Sequence, residues 1–179
     1  MTQIRCQLPN EAQKILSKLE KVFLIESLPA WSGSLKNRLV KAPKLFITDT
    51  GLLSYLQGLN LKKLEAEPTL AGALTENFVV TELKKHQSWS ETRAEMFHFR
   101  TSTDQEVDII LENLAGELVG VEVKSSSNID KRDFKGLQML ADSLPKKFKR
   151  GIIIYSGNQF LSFGENLFLV QISALWREV

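Results

Sequence analysis

The sequence reads EVDIIL at residues 106–111 and LVGVEVK at residues 118–124, and apolar and polar side chains alternate along both runs. Alternation with a period of two is typical of β-strands, whose side chains point to opposite faces in turn. The turn-rich segment 112–117 joins the two runs, so the sequence predicts a β-hairpin. Its apolar face is expected to carry Val107, Ile109, Leu111, Val119, Val121 and Val123.

The pairing register of this hairpin decides where its charges lie. Opposed residues must share a face, and one of the few registers that remain sets Asp108 opposite Glu122 and Glu106 opposite Lys124. Opposed side chains lie about 5 Å apart at Cβ, so two carboxylates would destabilise the pair unless a cation lies between them. A divalent ion, Mg²⁺ or Mn²⁺, would supply that cation. The alternative is an edge hairpin with a solvated charged face.

A helix predicted over residues 72–85 adds a third acid. At about 100° per residue, Val79, Val80 and Leu83 span one arc of this helix, and Glu76 falls in the middle of it. Charged side chains are seldom buried unless they are paired or bound to a metal. We therefore expect burial to raise the pKa of Glu76 until a cation offsets it.

The order of these residues resembles a known signature. An acid on a helix, an Asp on one strand and Glu-x-Lys on the next are similar to the PD-(D/E)xK nuclease-like signature, here Glu76, Asp108, Glu122 and Lys124. The resemblance implies that all four are catalytic. It implies that Asp108 and Glu122 bind Mg²⁺ or Mn²⁺ with help from Glu76, and that Lys124 stabilises charge developing on a nucleic acid phosphate.

Two further phrases extend the resemblance. PKLFITDTGLL at residues 43–53 and GALTENF at residues 72–78 are similar to the prokaryotic AAA-type ATPases that carry a C-terminal domain of unknown function. The sequence contains no G-x-x-x-x-G-K-[ST] loop, so it lacks the phosphate-binding element that ATP hydrolysis needs. We expect a P-loop ATPase module in the same chain or in a partner. Two functions stay open: a metal-dependent nuclease, or an inactive regulatory module that binds nucleic acid or protein.

The element order predicts an α/β fold in two parts. Residues 1–60 are expected to form a small winged-helix-like module, with a helix capped by Asn10, strands at 22–25 and 45–48, and a helix capped by Asp49 or Thr50 that runs to about Leu56. Residues 61–179 are expected to form a restriction-endonuclease-like mixed sheet flanked by helices. Its order of helix, three strands, helix and strand agrees with the PD-(D/E)xK resemblance.

Clustered cations suggest a nucleic acid surface. The alternative is that these lysines are ordinary solvated surface. We expect one groove leading to Lys124, lined by Lys131, Arg132, Lys135, Lys146, Lys147, Lys149 and Arg150. Such cations would hold phosphates, most simply those of DNA, without reading the base sequence. An N-terminal loop with Lys36, Arg38, Lys41 and Lys44 is a second candidate for phosphate contact.

Composition limits the class of the protein and its expected cellular location. Among 179 residues, 43% are hydrophobic and the formal net charge is +2, so a buried core is expected and nucleic acid binding must rest on local clusters. The single cysteine, Cys6, excludes an internal disulfide. With no run long enough for a membrane span, we expect a soluble cytoplasmic protein and no membrane partner. His98 lacks a second ligand nearby in the sequence and is expected to be structural.

Overall fold

The computed structural model describes residues 9–31, 33, 42–101 and 105–176. The helices are α1 (Asn10–Lys21), α2 (Thr50–Leu56), α3 (Leu61–Ala66), α4 (Pro68–Trp89) and α5 (Lys135–Ser143). The strands are β1 (Ile25–Leu28), β2 (Lys44–Ile47), β3 (Ala94–Arg100), β4 (Glu106–Asn113), β5 (Leu118–Lys124), β6 (Phe148–Tyr155), β7 (Leu161–Ser162) and β8 (Leu167–Gln171). Short 3₁₀ helices cover Lys131–Phe134 and Ile172–Trp176. No helix in these described ranges is both long and apolar enough to cross a membrane.

Six strands form one mixed sheet in the order β3-β4-β5-β6-β8-β7. The β3–β4–β5 part is antiparallel, β5, β6 and β8 are parallel, and β7 returns antiparallel to β8. The apolar run GIIIY at 151–155 lies in β6, which is buried on both faces, since Ile153 and Ile154 pack in different layers. The mixed sheet flanked by helices that the sequence predicted is therefore present.

The two helices that cover the sheet lie on opposite faces. Val79 and Val80 of α4 pack with Ile109 of β4 in one layer. On the other face, Leu137 and Leu140 of α5 pack with residues of β4, β5 and β6, namely Ile110, Leu118 and Ile153. Both helices bury an apolar face, which is the main source of their stability in a domain of this size.

The central hairpin has one of the few registers that the sequence allowed, the one that sets Ile109 opposite Val121 and Leu111 opposite Val119. One part of the prediction was wrong. Val107 does not share a face with Ile109, because it packs in the α5 layer with Ile110. The β3–β4 pairing shifts register here by one residue, as in a β-bulge, and this reverses the alternation near the start of β4.

The N-terminal segment adds a second, two-stranded sheet that packs onto the main one. β1 and β2 pair antiparallel, and Leu28 and Phe46 are buried in the α4 layer. The chain after β1 follows the edge of β3: His98 donates its backbone N–H to Pro29 O at 2.9 Å, and Trp31 N–H donates to His98 O at 2.8 Å. Residues of β1 and β2 thus share the main core. Whether they form a winged-helix-like module remains a prediction.

Local boundaries in this segment were predicted with mixed success. Asp49 caps α2 as expected, since its Oδ1 accepts from Leu52 N–H at 2.5 Å. Asn10 does not cap α1, because it is the first helical residue and Pro9 precedes it without a side-chain cap. Residues 22–24 form a turn rather than a strand, since Leu24 N–H bonds back to Leu19 O. α3 begins at Leu61, at the predicted boundary between the two parts of the chain.

Asn77 of α4 holds the small sheet against the large one. Its side chain is fully buried. Its Oδ1 accepts from Ile47 N–H at 3.0 Å, and its Nδ2 donates to Ile47 O at 2.9 Å and to Thr50 Oγ at 3.2 Å. One amide therefore satisfies both main-chain groups at the end of β2 and fixes the position of that strand over α4.

We expect Asn77→Ala to lower the free energy of unfolding by about 2–4 kcal/mol, because it leaves buried main-chain groups of Ile47 without partners. Urea unfolding followed by circular dichroism measures this. Asn166→Ala, at an exposed position, is the matched control and should change stability little. Equal stability of the two variants would contradict the role of the Asn77 amide.

Candidate active site

The candidate site lies where the regular pairing of β4 and β5 ends. Beyond the Ile109–Val121 pair, carboxylates take up main-chain donors: Asp108 Oδ2 accepts from Val123 N–H at 2.8 Å, and Glu122 Oε2 accepts from Asp108 N–H at 3.4 Å. The two acids that the sequence placed opposite each other are therefore adjacent in the structure.

Lys124 completes this end of the hairpin. Its Nζ lies 3.3 Å from Glu122 Oε1 and 3.9 Å from Oδ1 of Asp133, which belongs to the 3₁₀ helix after β5. The Lys124 side chain is about one-third exposed. Solvent or a ligand can therefore reach this ammonium, while its carboxylate neighbour Glu122 is largely buried.

Lys44 brings a second cation to the site from the N-terminal segment. Its Nζ lies 2.8 Å from Glu76 Oε1, 2.5 Å from Glu106 Oε1 and 3.5 Å from Asp108 Oδ1. Its side chain is only 14% exposed. The expectation that Lys44 belongs to a solvated or phosphate-binding loop was wrong. The other cations of that loop, Lys36, Arg38 and Lys41, lie outside the described residues.

A signal for Lys44 was present in the sequence. Residues two apart on a strand share a face, and Phe46, two residues after Lys44, is one of the most buried side chains. A lysine on the same face as a core phenylalanine points toward the core, where it needs an acid. The sequence could not show that the acids of α4 and β4 would be those partners.

We call the following set of described residues the acidic site: Glu76, Glu106, Asp108 and Glu122, with Lys44 and Lys124. Arg100 adds a more distant contact, 3.7 Å from Glu106. The carboxyl groups outnumber the ammonium groups of the two lysines. Such an excess of buried negative charge is costly unless acids take up protons or another cation enters.

The pKa values reflect this excess. Burial raises the pKa of Glu76, and the nearby charge of Asp108 raises it further against the opposing effect of Lys44, as the sequence predicted. Burial also raises the pKa of Asp108, although Lys44 and the Val123 N–H oppose it. Burial and the charge of Asp108 raise the pKa of Glu122 to about 8, against the effect of Lys124. For Lys44, burial lowers the pKa but the three carboxylates outweigh it, so its pKa is raised.

The chemistry of the donor set fits a hard divalent ion. Carboxylate oxygens are the ligands that Mg²⁺ and Mn²⁺ prefer, and the excess negative charge calls for a cation. As the side chains stand, however, N–H donors of lysines and main chain contact these oxygens. Across residues 9–31, 33, 42–101 and 105–176, no group of three or more His, Cys, Asp and Glu side chains is arranged to hold a metal ion together.

The cationic surface does not form the single groove that the sequence predicted. β5 and β6 are parallel, with Leu118 beside Phe148 and Lys124 beside Tyr155. Residues 146–150 therefore lie at the opposite end of the strand pair from Lys124, about 20 Å away along β5. Lys149 there pairs with Glu117 at 2.9 Å.

The other cations lie at the same end of the sheet as the acidic site. The 3₁₀ helix that carries Lys131 and Arg132 reaches Lys124 through Asp133, and Lys135 begins α5 directly after it. Arg132 is exposed and pairs with Asp130 at 2.6 Å. The seven predicted cations thus form two separate groups, one near the site and one remote from it.

His98 lies in the core of the site's supporting structure. Its ring is buried, and its Nε2 lies 2.9 Å from Ala42 O, two residues before Lys44. Burial lowers its pKa, although the contact with Ala42 opposes this. The ring therefore helps to position the chain that leads into β2, which agrees with the structural role expected from the sequence.

Comparisons with known proteins define the family. The chain belongs to DUF4143, a family of domains of unknown function, whose model matches residues 71–175 and so more than half of the chain. Domains of this family often occur in AAA-type ATPase proteins, which confirms that part of the resemblance. A second family model, the domain of unknown function DUF8612, matches residues 9–63.

Relatives and solved structures give the extent of the likeness. Uncharacterized proteins of Mycobacterium bovis and Mycobacterium tuberculosis are each 32% identical over 117 residues, which is 65% of this chain. The chain spans about a quarter of the length of these curated relatives. A refined half-complex of Thermococcus gammatolerans McrB AAA+ hexamers with bound McrC has a TM-score of 0.41 and 12% identity, covering 94% of this chain and 64% of that chain.

We expect the raised pKa of Glu122 to make stability pH-dependent in metal-free buffer. The folded protein holds a proton on this carboxyl that the unfolded chain releases above about pH 4.5, so stability falls as pH rises from about 4.5 to about 8. Glu122→Gln should remove roughly 2–4 kcal/mol of that decline. Urea unfolding in EDTA at several pH values measures it.

Glu95→Gln is the control for this experiment, because Glu95 is an exposed acid on β3 outside the acidic site. It should keep the pH dependence of the wild type. Parallel stability curves for wild type and Glu122→Gln between pH 5 and pH 8.5 would show that Glu122 stays ionised in the fold.

Proposed function

We propose that this chain is a restriction-endonuclease-like, PD-(D/E)xK-type domain that cleaves nucleic acid phosphodiesters with Mg²⁺ or Mn²⁺. One observation supports this above others: Asp108, Glu122 and Lys124 converge at the end of one hairpin, with Glu76 joined to them through Lys44. Buried acids with raised pKa values beside a lysine that is one-third exposed are costly for stability and are typical of functional sites.

Each residue of the proposed catalytic set would have a distinct role. Asp108 and Glu122 would hold the ion, with Glu76 close enough to support it through the same cluster. A bound divalent ion would polarise the scissile phosphate and lower the pKa of a bound water. The Lys124 ammonium, one-third exposed beside Glu122, would lie against the phosphate and stabilise the charge that develops on it. The buried surroundings strengthen each of these interactions.

We also propose that the domain works with an AAA-type ATPase. Its family often occurs in such proteins, and the printed sequence carries no P-loop of its own. ATP hydrolysis would therefore come from a module in the same polypeptide or in a partner. The role of the present domain would be to act on, or hold, the nucleic acid that the ATPase moves or recognises.

A second function, a regulatory module without catalysis, is favoured by the position of Lys44. Its ammonium contacts Glu76, Glu106 and Asp108. If that cation is permanent, the domain would bind nucleic acid or protein through the same fold without cleaving it. The two functions differ in one measurable property, which is metal-dependent product formation.

We expect the wild type to cleave plasmid or single-stranded DNA slowly in Mn²⁺, and Asp108→Ala to lose at least about 100-fold of that rate, because a metal ligand is gone. Gel electrophoresis of the products measures it. Glu95→Ala is the matched control, because it removes an exposed acid that lies opposite Glu112, at the far end of β4 from Asp108. Equal residual cleavage by both variants would indicate a contaminating nuclease, and no cleavage with retained DNA binding would favour the regulatory module.

The two separate cation groups allow a matched test of DNA binding. We expect replacing Lys131, Arg132 and Lys135 by Glu to weaken duplex DNA binding by about tenfold or more at low salt and to reduce the salt dependence, because phosphate contacts near the site are lost. The same replacement of Lys146, Lys147 and Lys149 should have a much smaller effect. Fluorescence anisotropy measures both. Equal losses would show that the remote group also binds, and no loss in either would favour a protein partner.

A further inference from the structure

Lys44 enters the acidic site from outside the domain that supplies the acids. The family model that covers the acids spans residues 71–175, whereas Lys44 lies in the segment matched by the other model, 9–63. The lysine reaches across to Glu76 of α4 and to Glu106 and Asp108 of β4. The occupancy of the site therefore depends on how the N-terminal segment is docked.

The docking is specified by side chains next to those of the site. Asn77 follows Glu76 on α4 and bonds both main-chain groups of Ile47, three residues after Lys44. On the other side, the ring of His98 contacts Ala42 O, two residues before Lys44. Contacts on both sides thus fix the main chain near Lys44. The ammonium of Lys44 is therefore positioned beside the carboxylates of the acidic site.

The Lys44 ammonium occupies carboxylates that a metal ion would need, since it contacts both Glu76 and Asp108. Lys44 Nζ lies 3.5 Å from Asp108 Oδ1. A Mg²⁺ ion on that oxygen would be about 2.1 Å from it, so the ammonium and the ion could be at most about 5.6 Å apart. Two like charges at that distance repel, and solvent screens Lys44, which is only 14% exposed, less than it screens Lys124. The lysine and the metal therefore compete for the same carboxylates.

We propose that Lys44 is the resident counter-cation of the acidic site, and that a divalent ion binds Asp108 and Glu122 only when the Lys44 ammonium withdraws. This inference rests on the metal binding that the proposed function requires. The withdrawal needs no change of fold, because lysine carries its charge on four flexible carbons and Lys44 is the first residue of β2. Through Lys44, the N-terminal segment thus lowers the affinity of the acidic site for a divalent ion.

The test measures Mn²⁺ affinity directly, by calorimetry and by electron paramagnetic resonance of free Mn²⁺, in the whole chain. We expect Lys44→Met to tighten Mn²⁺ binding by about tenfold or more, since the competing charge is gone. Lys44→Arg, which keeps the charge, should stay close to the wild type. Lys84→Met is the matched control, because Lys84 also joins α4 to the N-terminal segment, through Glu26 at 3.2 Å, but outside the site.

Thermal unfolding gives a second readout. In EDTA, Lys44→Met should have a lower melting temperature than the wild type, since the carboxylates lose their cation. Mn²⁺ should then raise the melting temperature of Lys44→Met by more than it raises that of the wild type. Where Lys44→Met alone fails to fold, the double variant Lys44→Met, Glu106→Gln removes an acid with the lysine and is measured in its place. Mn²⁺ affinity no tighter than wild type in a folded variant overturns the proposal.

The experiment distinguishes failure of the role of Lys44 from failure of the proposed nuclease activity. Tighter Mn²⁺ binding by Lys44→Met without cleavage of any nucleic acid supports the role of Lys44 and overturns the nuclease. Cleavage by the wild type with equal Mn²⁺ affinity in both proteins supports the nuclease and overturns the role of Lys44. Absence of Mn²⁺ binding at millimolar concentration in every variant overturns both.

Discussion

Buried carboxylates at the start of β4 and the end of β5 must be balanced by cations, and this requirement links the parts of the molecule. Lys44 supplies much of the balancing positive charge, with contacts to Glu76, Glu106 and Asp108. Breaking a buried charge cluster by removing one partner is far more costly than losing a surface ion pair. The small β1–β2 sheet therefore cannot leave α4 without exposing or protonating the acids of the large sheet.

The sheet topology decides which polar groups share the site. Since β5 and β6 are parallel, the chain must cross from one end of the sheet to the other between them, through the 3₁₀ helix and α5. This crossing places Asp133 beside Lys124 at the carboxyl end of β5 and sends residues 146–150 to the opposite end. Charge near the site is thus set by the connection rather than by nearness in sequence.

Patterns within one or two elements could be predicted from the sequence. The parity of strand side chains left a few registers, one of which brings Asp108 to Glu122, and the apolar arc of α4 indicated that Glu76 is buried with a raised pKa. The bulge in β4 could not be predicted, because it depends on how β3 pairs with it. Lys44 was misplaced for the same reason: its partners are 32 to 64 residues away along the chain.

The two sequence phrases that carried the family resemblance turn out to contact each other. Asn77, in the phrase at 72–78, bonds Ile47 and Thr50, in the phrase at 43–53. A buried amide with this set of bonds has one orientation that satisfies every group, so it fixes geometry more strictly than apolar contact would. Because the residue before it is Glu76, the same turn of helix that holds β2 also presents the acid that Lys44 meets. Docking of the N-terminal segment and charge balance in the acidic site are therefore one structural event, and a partner that loosened the first would change the second.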